Sequence, residues 1–315
     1  MALDRLEAMR AFCRIVEVGS FKGAAQSLDL ATTTVSGQVQ SLEKLLGIKL
    51  LYRSTRKVSP TTEGAAYYTR ARAVIDDVDE LEASVAMSHN VVRGRVSIEM
   101  PSPVGIHLII PALPQFAARF PDIHLDIGCG ERVVDLAQEG VDCAIRGGTV
   151  SDQDVISRQV GQMRFCFCAS PAYLASAAPV NHPSDLLQHK HLGFRFPGTG
   201  RRFVPTLIRD DERFTLDHPP AMYFNNGTAT AAAAAVGLGV AFLPRAEVNR
   251  HFHTGELVEI FADWSMASMP MSIVYPYNRH LSARVRTIAD WVTHLMASDP
   301  LWCLPGASAS LSEYK

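Results

Sequence analysis

Short polar side chains gather on one stretch of this sequence, and a basic segment follows shortly after it. The first group comprises Thr32, Thr33, Ser36 and Gln40. The hydroxyl groups of these short side chains suit phosphate oxygens, the methyl group of threonine suits that of thymine, and a glutamine amide pairs with adenine. Arg53 and Arg56 belong to the basic segment, and arginine suits the narrow, electronegative minor groove of a duplex. The two groups together have the chemistry of DNA recognition.

Three short helices must position the first group. Apolar residues at helical spacing predict the first helix, and Gly19 ends it; they are Leu3, Leu6, Met9, Phe12 and Val16. Ser20 is expected to cap a second helix over residues 21–28. A third helix runs from Thr32 to about Leu46, with an apolar face formed by Val35, Val39, Leu42 and Leu46. Two helices joined by a short turn cross steeply, which lets the second lie in a major groove. A plain three-helix bundle with threonine caps is the open alternative.

A basic hairpin is predicted next to these helices. Residues 47–51 and 57–59 have the pattern of two short strands, and the basic loop 52–56 lies between them. A hairpin beside a helix-turn-helix is a wing, whose arginines reach DNA. The alternative for Arg53 and Arg56 is an ordinary solvated loop.

Charge is distributed unevenly along the 315 residues. Residues 1–75 hold 11 basic and 6 acidic side chains, a net charge of +5, whereas the remainder holds 19 basic and 26 acidic side chains, a net charge of −7. A basic head on an acidic body suggests a polyanionic partner for the head. Chance distribution over a solvated surface is the alternative.

A long helix is predicted over residues 64–88. Its apolar residues alternate in steps of four and three, and they are Tyr67, Ala71, Val74, Val78, Leu81 and Val85. A narrow stripe of this kind predicts a coiled-coil seam with a second copy. Packing against its own domain is the alternative. His89 and Asn90 are expected to form a hinge.

From residue 93 the pattern changes to alternating strands and helices. A βαβαβ unit is predicted, with helices over residues 104–120 and 131–138, and it implies a parallel sheet. A second unit begins at Phe165, and the segments 272–275 and 281–296 are expected to return to the first. The fold class is therefore α/β in the body.

The head resembles the LysR-type transcriptional regulators. The matching residues are Phe12, Val16, Glu17, Gly19, Ser20, Phe21, Ala24, Ala25, Leu28, Val35, Ser36, Gln38, Val39, Leu42, Glu43, Leu46, Gly47, Leu50, Arg53, Ser54, Thr55, Arg56, Thr61 and Gly64. Segments of the body, such as residues 134–148 and 235–244, are similar to the sensor domain of the same family. The resemblance covers residues 3 to about 297.

The resemblance implies a domain order. A winged helix-turn-helix occupies residues 1–63, a linker helix that forms dimers 64–90, and an effector-binding domain 91–300. That domain is similar to type 2 periplasmic binding proteins, with lobe I at 91–162 and 267–300 and lobe II at 163–266. Residues 301–315 are expected to be a flexible tail. The family also implies DNA contacts at Thr32, Thr33, Ser36 and Arg56, with Gln40 as a further candidate, and body contacts that make a tetramer.

Three positions depart from the family pattern. Gly37 stands where the family usually has a longer polar residue, often arginine, that touches DNA. Ala31 replaces the usual serine at the helix start, so Thr32 is expected to take over as cap. Pro60 replaces the usual leucine. Weaker or altered base reading is predicted.

Ligands of open parallel sheets sit outside the carboxyl ends of the strands. That rule nominates an effector pocket formed by Ser102, Pro103, Glu131, Arg146, Phe194, Asn226 and Thr228. Ser102 and Thr228 each precede a predicted helix, where free N–H groups favour an anion, and Arg146 suits a carboxylate. An organic acid is therefore the expected effector. The alternative is that the hydroxyls are helix caps and Arg146 forms an internal salt bridge.

Signals of enzyme chemistry are weak. No GxSxG motif occurs, the six cysteines fit buried free thiols in a reducing compartment, and the HxH pairs at 189/191 and 251/253 are interpreted as surface histidines. No metal, cofactor or membrane segment is expected. The protein is predicted to be a cytoplasmic, effector-responsive transcription regulator that binds promoter DNA. RNA polymerase is considered as a further partner. The alternative is a small-molecule binding protein or enzyme that uses its head for assembly.

Overall fold

The structure is a computed structural model that describes residues 4–53, 58–85, 92–150, 152, 154–277 and 281–304. It divides into two compact units. The first consists of residues 1–95 with 135–141, and the second of residues 96–134 with 142–315.

The first unit begins with three helices, α1 (Arg5–Val18), α2 (Phe21–Ser27) and α3 (Thr32–Leu46). Gly19 ends α1 in the left-handed conformation, with φ of 71°, and the Ser20 hydroxyl accepts the N–H of Gly23 to cap α2. Both predictions are confirmed. The predicted cap at Thr32 is wrong, because Thr32 is the first helical residue and Ala31 occupies the cap position without a side-chain hydrogen bond.

The three helices bury a common core. Its centre is formed by Phe12, Ile15, Val35, Val39 and Leu42. The buried face of α1 matches the predicted face only in part, because the predicted Leu6, Met9 and Val16 are only partly buried. Leu46, predicted to be on the apolar face of α3, is exposed.

A two-stranded antiparallel hairpin follows, formed by β1 (Leu51–Arg53) and β2 (Val58–Pro60). Its register pairs Leu51 with Pro60 and Arg53 with Val58. The first strand starts later than predicted, because Gly47 ends α3 in the left-handed conformation and the chain then turns. The predicted wing loop, with Arg56, lies outside the described residues.

The long helix α4 (Thr62–Val85) confirms the prediction of a helix here, and the proposed hinge lies outside the described residues. The prediction that its apolar residues form a coiled-coil seam is partly wrong. Tyr67 and Ala71 pack on the core of their own head, with the Tyr67 ring 5.6 Å from that of Phe12, and Ile75 is buried beside them. Val74 and Leu81 are exposed, by 47% and 64%. The helix therefore has one face that packs on the head and another that carries exposed apolar side chains.

The body contains two five-stranded sheets, a three-stranded antiparallel sheet and the helices that cover them. From residue 94 onward the elements are β3 (Gly94–Met100), α5 (Ser102–Val104), α6 (Ile110–Arg119), β4 (Ile123–Cys129), α7 (Leu136–Glu139), β5 (Cys143–Gly147), β6 (Val155–Met163), β7 (Phe165–Ala169), α8 (Pro171–Ser176), β8 (His191–Phe194), β9 (Thr206–Arg209), β10 (Glu212–Thr215), β11 (Met222–Phe224), α9 (Gly227–Ala235), β12 (Val240–Pro244), α10 (Arg245–Thr254), β13 (Val258–Ile260), β14 (Ser265–Met266), β15 (Met269–Pro276) and α11 (Ala283–Ser298). A π-helical turn over Gly105–Ile109 joins α5 to α6, which confirms a helical segment after β3.

Both five-stranded sheets are mixed, which corrects the prediction of parallel sheets. The first has the order β4-β3-β5-β15-β6, in which β3 and β5 are parallel and β15 is antiparallel to both of its neighbours. The second has the order β11-β8-β12-β7-β13, in which β8 is parallel to β11 and β12, whereas β7 is antiparallel to its neighbours. The return of the chain to the first sheet through β15 was predicted.

Two further predictions for the body need correction. The helix predicted over residues 131–138 is the four-residue α7, which Asp135 caps through the N–H of Gln138. The predicted tail is anchored at its start, since Trp302 is buried and its carbonyl accepts the N–H of Gln162 at 2.8 Å. Residues 305–315 lie outside the described part of the chain.

Within the described residues, no helix combines the length and the apolar character needed to cross a membrane.

Candidate functional site

The outer face of α3 carries the predicted polar contacts. Thr32, Thr33 and Gln40 are exposed and Ser36 is half-buried, while Val35 and Val39 on the opposite face enter the core. A Cβ added at Gly37 would meet nothing within 4 Å. The first turns of α3 therefore offer a polar surface with room for a longer side chain at position 37.

A buried carboxylate joins α3 to the hairpin. Glu43 is 2% exposed; its Oε1 accepts the N–H groups of Leu50 and Leu51 at 3.0 and 3.3 Å, and its Oε2 accepts from the Lys49 ammonium at 2.9 Å. Burial acts to raise the pKa of Glu43, but the ammonium and the two N–H groups outweigh it, so the pKa lies below its ordinary value. The carboxylate is therefore ionised and fixes the start of β1 relative to α3.

The start of α4 is tied to the same point. The Thr61 hydroxyl donates to the carbonyl of Lys49 at 2.8 Å and accepts the N–H of Gly64 at 2.9 Å. Gly64 is required sterically, because a Cβ there would lie 1.9 Å from the carbonyl oxygen of Leu50. The third helix, the hairpin and the long helix thus meet around Leu50.

Sequence reasoning missed the role of Glu43. A signal was available, because Glu43 follows Val35, Val39 and Leu42 at helical spacing on the buried face. Of the two hairpin arginines, the backbone of Arg53 lies in β1, and the side chains of both Arg53 and Arg56 lie outside the described part of the chain.

The body brings three of the predicted effector residues together. The Ser102 hydroxyl neighbours the carboxylate of Glu131 and acts to lower its pKa, and the Thr228 hydroxyl does the same for Glu247. His107 reaches the same Glu247, with Nε2 3.3 Å from Oε2. Ser102 and His107 follow β3 of the first sheet, whereas Thr228 and Glu247 belong to α9 and α10, which flank β12 of the second. We call these five residues the carboxylate cluster.

The two carboxylates of the cluster are unequal. Burial raises the pKa of Glu131, and the neighbouring Glu247 adds to the shift, while Ser102 opposes it. Burial also acts to raise the pKa of Glu247, but the neighbouring His107 and Thr228 outweigh it, and the pKa is lowered. One oxygen of Glu131, Oε1, is buried without a hydrogen-bond partner. Glu131 is therefore the member with an acceptor to offer.

These contacts do not support an anion site. The two hydroxyls expected to meet an anion neighbour carboxylates instead. Neither residue precedes its helix, since Ser102 is the first residue of α5 and Thr228 lies in the first turn of α9. Glu247 and His107 were missed, although Glu247 lies just beyond the carboxyl end of β12, where the rule for open sheets applies.

The other four predicted residues have internal roles or lie elsewhere. Arg146, 14% exposed, donates to the carbonyl of Val134 at 2.8 Å and pairs with Asp152 at 3.4 Å. Asn226 caps α9 by accepting the N–H of Ala229 at 2.9 Å. Pro103 is buried in α5. Phe194 lines an aromatic pocket of the second sheet.

Histidines and cysteines depart in part from their expected exposure. His189 and His191 are buried, which corrects their interpretation as surface residues. Five cysteines are free and buried, and burial raises the pKa of Cys13 and Cys166 to about 12; Cys129 is free and exposed. No group of three or more potential metal ligands occurs within the described residues.

Comparison with known proteins identifies the family. Residues 6–65 match the model of the bacterial regulatory helix-turn-helix proteins of the lysR family, and residues 89–297 match the LysR substrate binding domain. The chain belongs to the LysR family. It is a DNA-binding transcriptional regulator with an effector-binding domain, as the sequence predicted.

Individual relatives agree with this assignment. An HTH-type transcriptional repressor of Pseudomonas aeruginosa is 35% identical over 299 residues, covering 95% of this chain and 94% of the relative. The solved structure of CrgA, a LysR-type regulator from Neisseria meningitidis, is 29% identical with a TM-score of 0.58 and covers 91% of this chain and 97% of that one. Full-length AphB of Vibrio cholerae is 25% identical with a TM-score of 0.57, over 93% and 99% of the two chains.

Proposed function

We propose that α3 reads the major groove of an operator through Thr32, Thr33, Ser36 and Gln40, while Arg53 and Arg56 reach the backbone or the minor groove. The observation that carries this proposal is the exposure of the first turns of α3 opposite a buried apolar face. Hydroxyl and amide groups on that surface supply the donors and acceptors that base edges require.

A small molecule bound between two lobes of the body modulates this DNA binding. The lobes are residues 91–162 with 267–300, and residues 163–266, and the carboxylate cluster connects elements of both. Because Glu131 has a buried acceptor without a partner, we propose an effector that presents a hydrogen-bond donor, such as an amine or hydroxyl group, in place of the organic acid expected from the sequence.

Assembly follows from the outer face of α4. Val74 and Leu81 are exposed and separated by seven residues, so the same face of a second copy would cover both. We propose a dimer through the linker helix, residues 64–90, and a tetramer through body contacts. Two heads on a symmetric site bind far more tightly than one. We also propose that the regulator acts in the cytoplasm and that residues 1–63 form its winged head. RNA polymerase is a further proposed partner.

The DNA proposal is tested by fluorescence anisotropy with the upstream DNA of the protein's own gene. Thr33→Ala and Gln40→Ala are expected to lose about 1–3 kcal/mol of preference for that DNA over random duplex. Ser41→Ala, exposed on another face of α3, is the matched control and is expected to bind as the wild type does. Equal preference in all four proteins would overturn the proposal.

The effector proposal is tested separately by thermal-shift screening of small amines, alcohols and carboxylates. Ligands with a donor are expected to raise the melting temperature of the wild type and to lose this effect in Glu131→Ala. A carboxylate that stabilises the wild type and Glu131→Ala equally would contradict the proposed effector class and leave DNA binding untouched.

A further inference from the structure

We infer that residues 131–142, which we call the strap, carry changes at the carboxylate cluster to the linker helix α4. The strap starts at Glu131, a member of the cluster, and contains the short helix α7. Residues 135–141 belong to the first compact unit together with α4, whereas residues 131–134 and 142 belong to the second. The inference rests on the proposed function, because it concerns how effector binding reaches the head that binds DNA.

The strap packs on α4 through a glycine. Gly140 ends α7 in the left-handed conformation, with φ of 66°. A Cβ added at Gly140 would lie 1.7 Å from Cγ2 of Thr69, so the backbone of the strap lies directly against that side chain. The Thr69 hydroxyl donates to the carbonyl of Ala65 at 3.2 Å, and its methyl group is the part that meets Gly140. A side chain at position 140 would therefore displace α7 from α4.

The part of the strap that packs on α4 is held together by its own hydrogen bonds. The Asp135 carboxylate accepts the N–H of Gln138 at 2.9 Å, and the N–H of Asp135 donates to the carboxylate of Glu139 at 3.1 Å. The N–H of Val141 donates to the carbonyl of Leu136 at 3.0 Å, and both of these side chains are buried. A segment bonded and packed in this way moves as one body, because packed groups resist continuous deformation.

The two ends of the strap are also hydrogen-bonded. Only residues 132–134 separate Glu131 from the cap of α7, and the Val134 carbonyl accepts from Arg146 at 2.8 Å. Beyond α7, the N–H of Asp142 donates to the carbonyl of Ser97 at 3.0 Å, and the Asp142 carboxylate accepts the N–H of Ser97 at 2.9 Å. The strap therefore has no long unbonded loop that could absorb a displacement of Glu131.

Coupling of this kind has a measurable signature. Two sites that influence each other share a coupling free energy, and substitutions at coupled sites are not additive. Glu131→Ala removes the side chain that joins the strap to the cluster, and Gly140→Ala separates α7 from Thr69. If the strap connects the cluster to α4, the effect of the first substitution on DNA binding must depend on the second.

The test is a double-mutant cycle in the full-length protein, measured as the dissociation constant for the upstream DNA of its own gene. Glu131→Ala is expected to change this constant at least about threefold in the wild-type background and less than about 1.5-fold in the Gly140→Ala background. Gly255→Ala is the matched control background. Gly255 also ends a helix with a positive φ, 73°, but a Cβ there would meet nothing within 4 Å. In that background the threefold effect should remain.

Hydrogen exchange covers the cases in which Gly140→Ala fails to fold or the wild type has no preference for this DNA. Between the wild type and Glu131→Ala, the amides of residues 136–141 and of the α4 turn around Thr69 are expected to change their exchange rates together, by at least about threefold, while those of α11 stay the same.

The inference is overturned if Glu131→Ala leaves DNA binding unchanged or acts equally in all three backgrounds. It is also overturned if the exchange rates around Thr69 do not change in Glu131→Ala. A wild type without preference for the upstream DNA would overturn the DNA proposal instead, and the exchange experiment would still decide the role of the strap.

Discussion

The carboxylate of Glu43 accepts the backbone N–H of Leu50 at 3.0 Å. This contact fixes the start of the hairpin relative to α3, the helix proposed to read DNA. Leu50 is itself buried, and its carbonyl accepts the N–H of Thr61 at 2.9 Å just before α4 begins. One buried side chain therefore sets the position of three elements that must act together on a duplex.

Replacement of that carboxylate should destabilise the head. Glu43→Gln keeps one acceptor oxygen but loses the charge-assisted bonds, so the free energy of unfolding is expected to fall by about 1–3 kcal/mol. Urea denaturation followed by circular dichroism measures the change. Glu63→Gln, exposed in the first turn of α4, is the control and should unfold as the wild type does.

The difference in unfolding free energy between the wild type and Glu43→Gln should also depend on pH. The pKa of Glu43 is lowered in the folded state, so its contribution to stability is present above the unfolded pKa of about 4.3 and is lost as the pH falls through the folded pKa. The stability difference between the wild type and Glu43→Gln should therefore be constant near neutrality and shrink in acid. A difference that grows as the pH falls would contradict the assignment.

Gly37 is the position where binding can be gained. Its surroundings are open, so Gly37→Arg should fit and add a contact to DNA, with a steeper salt dependence by about one unit of slope. Gly37→Ala is the control for helix propensity. It gains about 1 kcal/mol of stability over glycine but adds no side chain that can contact DNA. Anisotropy titrations at several salt concentrations compare the three proteins, and an arginine variant that binds no better than the alanine variant rejects the prediction.

Gly64 should tolerate no side chain. A Cβ at this position would lie 1.9 Å from the carbonyl oxygen of Leu50, and backbone cannot move away without shifting the wing. Gly64→Ala is expected to lower the free energy of unfolding by roughly 1–3 kcal/mol in denaturant titrations. Gly37→Ala, made at an open helical glycine, should be neutral or stabilising, and a similar result for both substitutions would show that the joint can relax.

Much of the head was predictable because its signals are local. Gly19 and Ser20 mark the boundary between two helices by conformation and capping, and the periodic residues Val35, Val39 and Leu42 define the buried face of α3. The function of Glu43 was not predictable in the same way, because its partners come from the hairpin that follows. Family resemblance supplied the domain order, which local patterns alone left open.

The candidate sites in the body were harder to predict. The rule for the carboxyl ends of strands nominated Ser102, Glu131 and Thr228, which the structure brings into one cluster, but the expected partner of the two hydroxyls was an anion. Whether a hydroxyl meets a ligand or a carboxylate depends on side chains such as Glu247, which reach the cluster from a distant part of the sequence. The burial of His191 likewise depends on β12, which lies beside β8 only in the folded sheet.

The anchoring of Trp302 has a practical consequence for truncated versions of the chain. The Trp302 carbonyl accepts the N–H of Gln162, and the side-chain amide of Gln162 donates to the carbonyl of Cys303 at 2.9 Å. A version that stops at the end of α11 would leave the backbone N–H and the side-chain amide of Gln162 without these acceptors on β6. It would also expose the apolar surface that Trp302 covers. Recombinant versions of the isolated body should therefore keep residues up to at least 304.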